Sequence, residues 1–152
     1  MRIAVLPIVL LALTVAPPVA GASPEPPPPG TPPTLTGLAM TERTILSPSA
    51  PNDTSSKLPR QTTFSFFLNQ SATFRIVFKQ VRKGGGLVKR GALIRDGVTG
   101  KNRVHFAGKL PKPKGGVQFL SAGRYKVFFN ASNGLGTSPV ASIGFRVVRP
   151  KT

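Results

Sequence analysis

The side chains suited to acid-base or metal chemistry are few: one histidine, His105, four carboxylates (Glu25, Glu42, Asp53, Asp96) and no cysteine in 152 residues. A serine or threonine nucleophile needs a base and a group that orients that base. One histidine without a Gly-x-Ser-x-Gly elbow does not assemble such a set. Glycosidase-type chemistry needs two carboxylates facing one bond, whereas Asn52-Asp53-Thr54 and Asp96-Gly97 read as turns. Zinc calls for Cys and His clusters and calcium for several oxygen ligands, so no metal site and no cofactor is expected. Gly84-Gly85-Gly86 lacks the Lys-Ser/Thr and the receiving helix of a phosphate loop and reads as a hairpin turn. Asn52, Asn69 and Asn130 open Asn-x-Ser/Thr sequons, which matter only in a glycosylating host. The expectation is a non-enzymatic protein.

Cations are the abundant chemistry: 21 Lys and Arg against 4 acids, a net charge of +17. A field of that sign concentrates polyanions near the surface whatever the fold. Whether it forms a site depends on which cations share a face, and hence on the elements that carry them.

Those elements read as strands. In Arg124 to Ala131, Tyr125, Val127, Phe129 and Ala131 share one side, and Arg124, Lys126, Phe128 and Asn130 the other, the period-two pattern of a half-buried strand. The same alternation turns Phe64, Phe66 and Leu68 inward over 61–69, and Phe74, Ile76 and Phe78 over 73–81. It does so again for Val104 and Phe106 over 101–107, with His105 outward, and for Ile143, Phe145 and Val147 over 141–148. Residues 34–40 make a first strand and 87–95 an ambiguous one. Residues 47–60, with Pro48, Pro51 and Pro59, read as a long connection, and 109–116 as a Pro-Gly-Lys loop. About seven strands without a helix imply an all-β two-sheet sandwich.

Ahead of this domain, one arginine and an apolar run from Ile3 to Ala16 precede Ala20-Gly21-Ala22, the small-x-small pattern of a signal peptide cleaved after Ala22. The alternative is an uncleaved anchor, the one route by which membrane contact is expected. Ser23 to Pro33 is a Pro-rich linker in extended polyproline form. The expected organisation is 1–22 signal peptide, 23–33 linker and 34–150 domain, placing the protein outside the cell or on its surface.

Leu120, Gly123, Tyr125, Val127, Phe129, Ala131 and Asn133-Gly134 resemble the penultimate strand and following turn of fibronectin type III and related immunoglobulin-like domains. In those domains the tyrosine forms a tyrosine corner, its hydroxyl bonded to the chain upstream, which implies that structural role for Tyr125. The run Gly100-x-Asn102-x-Val104-x-Phe106-x-Gly108-x-Leu110, with Ala122-Gly123-Arg124-Tyr125 after it, is similar to the immunoglobulin-like module of flagellar hook-capping proteins. It is also similar to basic, exported immunoglobulin-like domains of high-GC Gram-positive bacteria. The resemblance covers about Thr34 to Arg149, departing from the fibronectin pattern in having no tryptophan. It implies a spacer, adhesion module or ligand-binding appendage.

In an immunoglobulin-like topology the strands that carry Arg75 and Lys79, Arg124 and Lys126, and Arg146 are neighbours. Their outward residues would form a cationic stripe with Val77 and Phe128 between, flanked by a basic hairpin (Arg82, Lys83, Lys89, Arg90) and a basic loop (Lys109, Lys112, Lys114). Two readings stay open: a contact surface for an anionic envelope polymer or other acidic surface, and a solvated face on a structural spacer or subunit whose partner is an extracellular protein. Sequence-specific nucleic-acid recognition is not expected, since cations alone bind without reading sequence.

Overall fold

The computed structural model describes residues 30–48 and 57–149. The expected signal peptide, most of the linker, and Asn52 and Asp53 lie outside the described residues. The strands among them are β1 (Leu35–Met40), β2 (Thr44–Leu46), β3 (Thr62–Leu68), β4 (Ala72–Val81), β5 (Leu87–Gly97), β6 (Gly100–Phe106), β7 (Lys109–Pro111), β8 (Val117–Phe119), β9 (Gly123–Asn133), β10 (Gly136–Thr137) and β11 (Ala141–Val148), with no helix. One sheet runs β1-β3-β6. A second runs β2-β11-β9-β4-β5, with β10 folded back on β9, and β7 and β8 form a separate hairpin.

The two larger sheets pack face to face because period-two alternation gives each an aromatic inner side. Phe64, Phe66 and Phe106 come from the smaller sheet, and Phe74, Phe78, Phe129 and Phe145 from the larger; all are buried. Rings meet across the interface: Phe64 and Phe129 at 5.3 Å, Phe66 and Phe74 at 5.0 Å, and Phe78 stacked on Phe106 at 4.5 Å between centroids. Edge-on pairs of this kind add to the value of the buried area itself. Tyr125 closes one end of the core, its ring stacked on Phe145 at 5.4 Å and its hydroxyl donating to the Ser121 carbonyl at 2.7 Å.

Three features differ from the sequence reading. Residues 109–116 are a loop only in part, because β7 pairs with β8 around the turn. The hairpin is held from outside: buried Leu110 lies over Gly91 of β5, where an added Cβ would sit 3.1 Å from Leu110 Cδ1. Gln118 Nε2 also donates to the Arg90 carbonyl. Strand β2 is the second difference, a parallel partner for the end of β11 that buries Ile45 and Leu46. Three residues are too few for alternation to show, so tertiary partners define both elements. The third lies at the end of the expected spacer. Pro33 is buried and the Thr31 carbonyl accepts from Gln70 Nε2 at 2.8 Å, so this stretch is docked on the domain.

Tyr125→Phe removes the hydroxyl that donates to the Ser121 carbonyl and lies 3.4 Å from Ser121 Oγ, while keeping the ring. The expected outcome is a stability loss of about 1 kcal/mol, against about 3–5 kcal/mol for Phe64→Ala at the centre of the core, both read by denaturant unfolding.

Candidate anion-binding surface

With one side of β4, β9 and β11 committed to the core, their alternate residues form the outer face of the larger sheet. Registry then decides which cations meet. Lys126 of β9 is paired with Lys79 of β4, and Lys79 is paired on its other side with Lys89 of β5. One row nearer the start of β9, Arg124 is paired with Arg146 of β11. Like charges directly opposite across a ladder are destabilising, and here they occur in two consecutive rows of the same face.

The next row is Ser142, Phe128, Val77 and Ala92. Phe128 is half-buried, with Lys79 Nζ 4.8 Å and Lys126 Nζ 5.5 Å from its ring centre, so the ring holds both ammonium groups beside it. Arg75 stands one row further, opposite Asn130 and Ile94. It is four residues from Lys79, about 13 Å along the strand. Beyond it Asp96, the one carboxylate on these strands, accepts from Thr73 Oγ1 at 2.9 Å. The structure thus brings Lys79, Arg124, Lys126 and Arg146 together and leaves Arg75 across an apolar row.

Lys89 joins the row through a β-bulge. Between Phe78 and Lys79 the pairing slips, so that Phe78 faces Gly91 and Lys79 faces Lys89, with Arg90 the extra residue. The guanidinium of Arg90 turns to Gln80 Oε1, its Nε at 2.9 Å. Even alternation cannot reveal a bulge, so sequence reasoning put Lys89 in a hairpin and not in the row.

Two open grooves border the face. One, of about 930 Å³, lies where β4 and β11 end and β9 begins, lined by Arg82, Lys83, Arg124, Arg146 and Arg149 among others. Arg149 was missed by sequence reasoning because it follows the last strand, where parity has no meaning. The other, of about 470 Å³, lies between β5 and the β7-β8 hairpin and includes Lys89, Arg90, Lys112 and Gln118. Each is flanked by a tight basic turn with the same bonds: Arg82 N to Gly86 O at 2.8 Å and Gly85 N to Arg82 O at 3.0 Å, then Lys112 N to Gly116 O at 3.0 Å and Gly115 N to Lys112 O at 3.1 Å. Gly84 and Gly85 have φ of 95° and 87°, and Gly115 and Gly116 of 88° and 84°, a conformation that favours glycine. The glycine triplet is a hairpin turn.

The outer face of the smaller sheet is basic as well but arranged differently. Lys101, Arg103 and His105 stand opposite Phe67, Ser65 and Thr63, so no two cations are paired. His105 Nδ1 is 2.9 Å from Thr63 Oγ1. Among the described residues no three His, Cys, Asp or Glu side chains come together.

No family model matches the chain. No curated protein sequence matches it either. Among solved structures, the crystal structure of a Bifidobacterium adolescentis GH3 beta-glucosidase is similar over 74% of this chain and 17% of its own length, at 12% identity and a TM-score of 0.34. The chain therefore spans about a sixth of that enzyme, and so loose a likeness carries no argument about activity.

Lys79→Glu, at the middle of the row, converts three lysines to an alternating triad. The expected outcome is a rise in Tm of about 1–4 °C at low salt, from a pair energy of some tenths of a kcal/mol, that shrinks as salt is added. Arg103→Glu, opposite Ser65, is expected to give clearly less; thermal melts of both variants across a salt series check the contrast.

Proposed function

We propose that this chain is an exported, non-enzymatic immunoglobulin-like or fibronectin type III-like domain that binds an anionic polymer of the cell envelope through the outer face of its larger sheet. Support for the fold type comes from the three-strand order β1-β3-β6 opposite β5-β4-β9-β11, and from the Tyr125 hydroxyl bonded to the chain just upstream. The observation that carries the binding reading is the pair of consecutive like-charge rows, Lys89-Lys79-Lys126 and Arg124-Arg146. Like charges paired across neighbouring strands repel in the free domain. A bound polyanion offsets that repulsion, so the arrangement costs less in the complex than in the free domain.

The test is retention of the full-length chain on isolated cell envelopes and on a neutral matrix across a salt series. Envelope-selective retention is expected, with log K falling on log salt at a slope of about −4 if the five cations of the two rows each displace a counterion. The variant with Ser at Arg75, Lys79, Arg124, Lys126 and Arg146 is expected to keep its circular dichroism spectrum and lose retention. Unchanged retention of that variant at matched ionic strength overturns the reading. Retention that persists at high salt and depends on Val77, Phe128 and Val148 points to a protein partner and a structural role in its place.

A further inference from the structure

The grooves at the two ends of the cationic rows specify the shape of the ligand more closely than charge does. Row Arg124-Arg146 opens into the larger groove, where Arg82, Lys83 and Arg149 add to it. Row Lys126-Lys79-Lys89 opens at its far end into the smaller groove, which Lys89 of β5 and Lys112 of the β7-β8 hairpin both line. The two rows are adjacent, because Arg124 and Lys126 are alternate residues of one strand. Cations therefore run without a break from one groove, across four strands, to the other.

From this we infer that the site is a single track which takes a linear, flexible polyanion laid across the strands, a chain of repeating phosphate or sulfate groups without stacking bases, engaged in both grooves at once. The inference rests on the polyanion reading above. From β11 to β5 is three strand spacings, about 14 Å, and the smaller groove lies at the far edge. A compact anion fills one groove and leaves the other empty, whereas a chain that reaches both gains the second engagement intramolecularly. The twin glycine turns hold Arg82 and Lys112 at their corners, one beside each groove, so each end of the track is built on a hydrogen-bonded hairpin turn.

Single-stranded nucleic acid fits less well. Its binding surfaces combine a cationic groove with several aromatic rings on which successive bases stack. Among the described residues of this face Phe128 is the one aromatic, and its ring already carries the ammonium groups of Lys79 and Lys126. A base-free backbone needs no platform, only cations at intervals along its path.

The experiment is a chain-length series on the full-length protein: inorganic triphosphate, then size-fractionated inorganic polyphosphates, with affinity measured by calorimetry at fixed salt. Affinity is expected to climb more than tenfold with length and then level off once both grooves are reached. The Lys89→Ser/Lys112→Ser pair is expected to lower long-chain affinity about fivefold or more and to leave triphosphate, held in the larger groove, unchanged. Arg82→Ser/Arg149→Ser is expected to weaken both ligands. These side chains are exposed, and a circular dichroism spectrum matching the parent's confirms that each variant is folded.

Long-chain affinity that ignores Lys89 and Lys112 but falls with Lys79 and Lys126 overturns the track and leaves the cationic face standing. Length-independent affinity overturns it too. Absence of binding to any polyphosphate overturns both the track and the reading on which it rests. A single-stranded oligonucleotide of matched charge that binds more tightly than polyphosphate overturns the assignment to a base-free chain.

Discussion

Phe64 is the contact on which the arrangement of the domain depends. Its ring meets Phe78, Phe106, Phe129 and Phe145, within 6.4 Å between centroids in every case, so one side chain of the smaller sheet touches three strands of the larger. Aromatic rings of this size, buried on both sides, tolerate neither a gap nor a slip by one residue, since a slip would turn every ring outward. The parity of β4, β9 and β11 is set here, inside the core. Because side chains alternate, the same constraint directs Lys79, Lys126, Arg124 and Arg146 to the opposite side. The cationic face is thus the reverse of the aromatic one, and neither can move without the other.

Parity decides which side a residue is on, while registry decides what stands beside it, and registry places like charges together. In the smaller sheet the outward cations face Ser65, Thr63 and Phe67, an arrangement that costs little. In the larger sheet two rows bring cations into direct opposition. The bulge at Arg90 extends one of them to a third strand. Arg90 itself is turned aside to Gln80, which leaves Lys89 to complete the row. The hairpin that bears Lys112 is seated next to that bulge by Leu110 against Gly91, so the same few residues position the end of the row and the wall of the adjoining groove.

Much of this was legible in the chain itself. Alternation over 141–148 predicts a strand with the bounds that β11 has, Ala141–Val148, and β3, β4, β6 and β9 lie within a residue or two of their expected bounds. The inward residues Phe74, Ile76, Phe78, Tyr125, Val127 and Phe129 are all buried. These were readable because alternation is local: seven or more residues that face a core on one side and water on the other carry the signal in their own order. Strands β2, β7 and β8, each of three residues, carry too little of it. Of the five outward cations singled out, four gather and Arg75 does not, because an apolar row intervenes, a spacing that appears only once the strands are laid side by side.

By itself, then, the sequence determined an all-β chain with an alternating aromatic core, a large excess of cations, and very few groups for catalysis. These are properties of composition and of neighbours along the chain. Only the tertiary structure decided that Lys126 meets Lys79 and Lys89, that Arg124 meets Arg146, and that a groove lies at each end. The physical reason is that pairing joins residues tens of positions apart, and that one extra residue in a bulge shifts every contact beyond it. No local pattern records either.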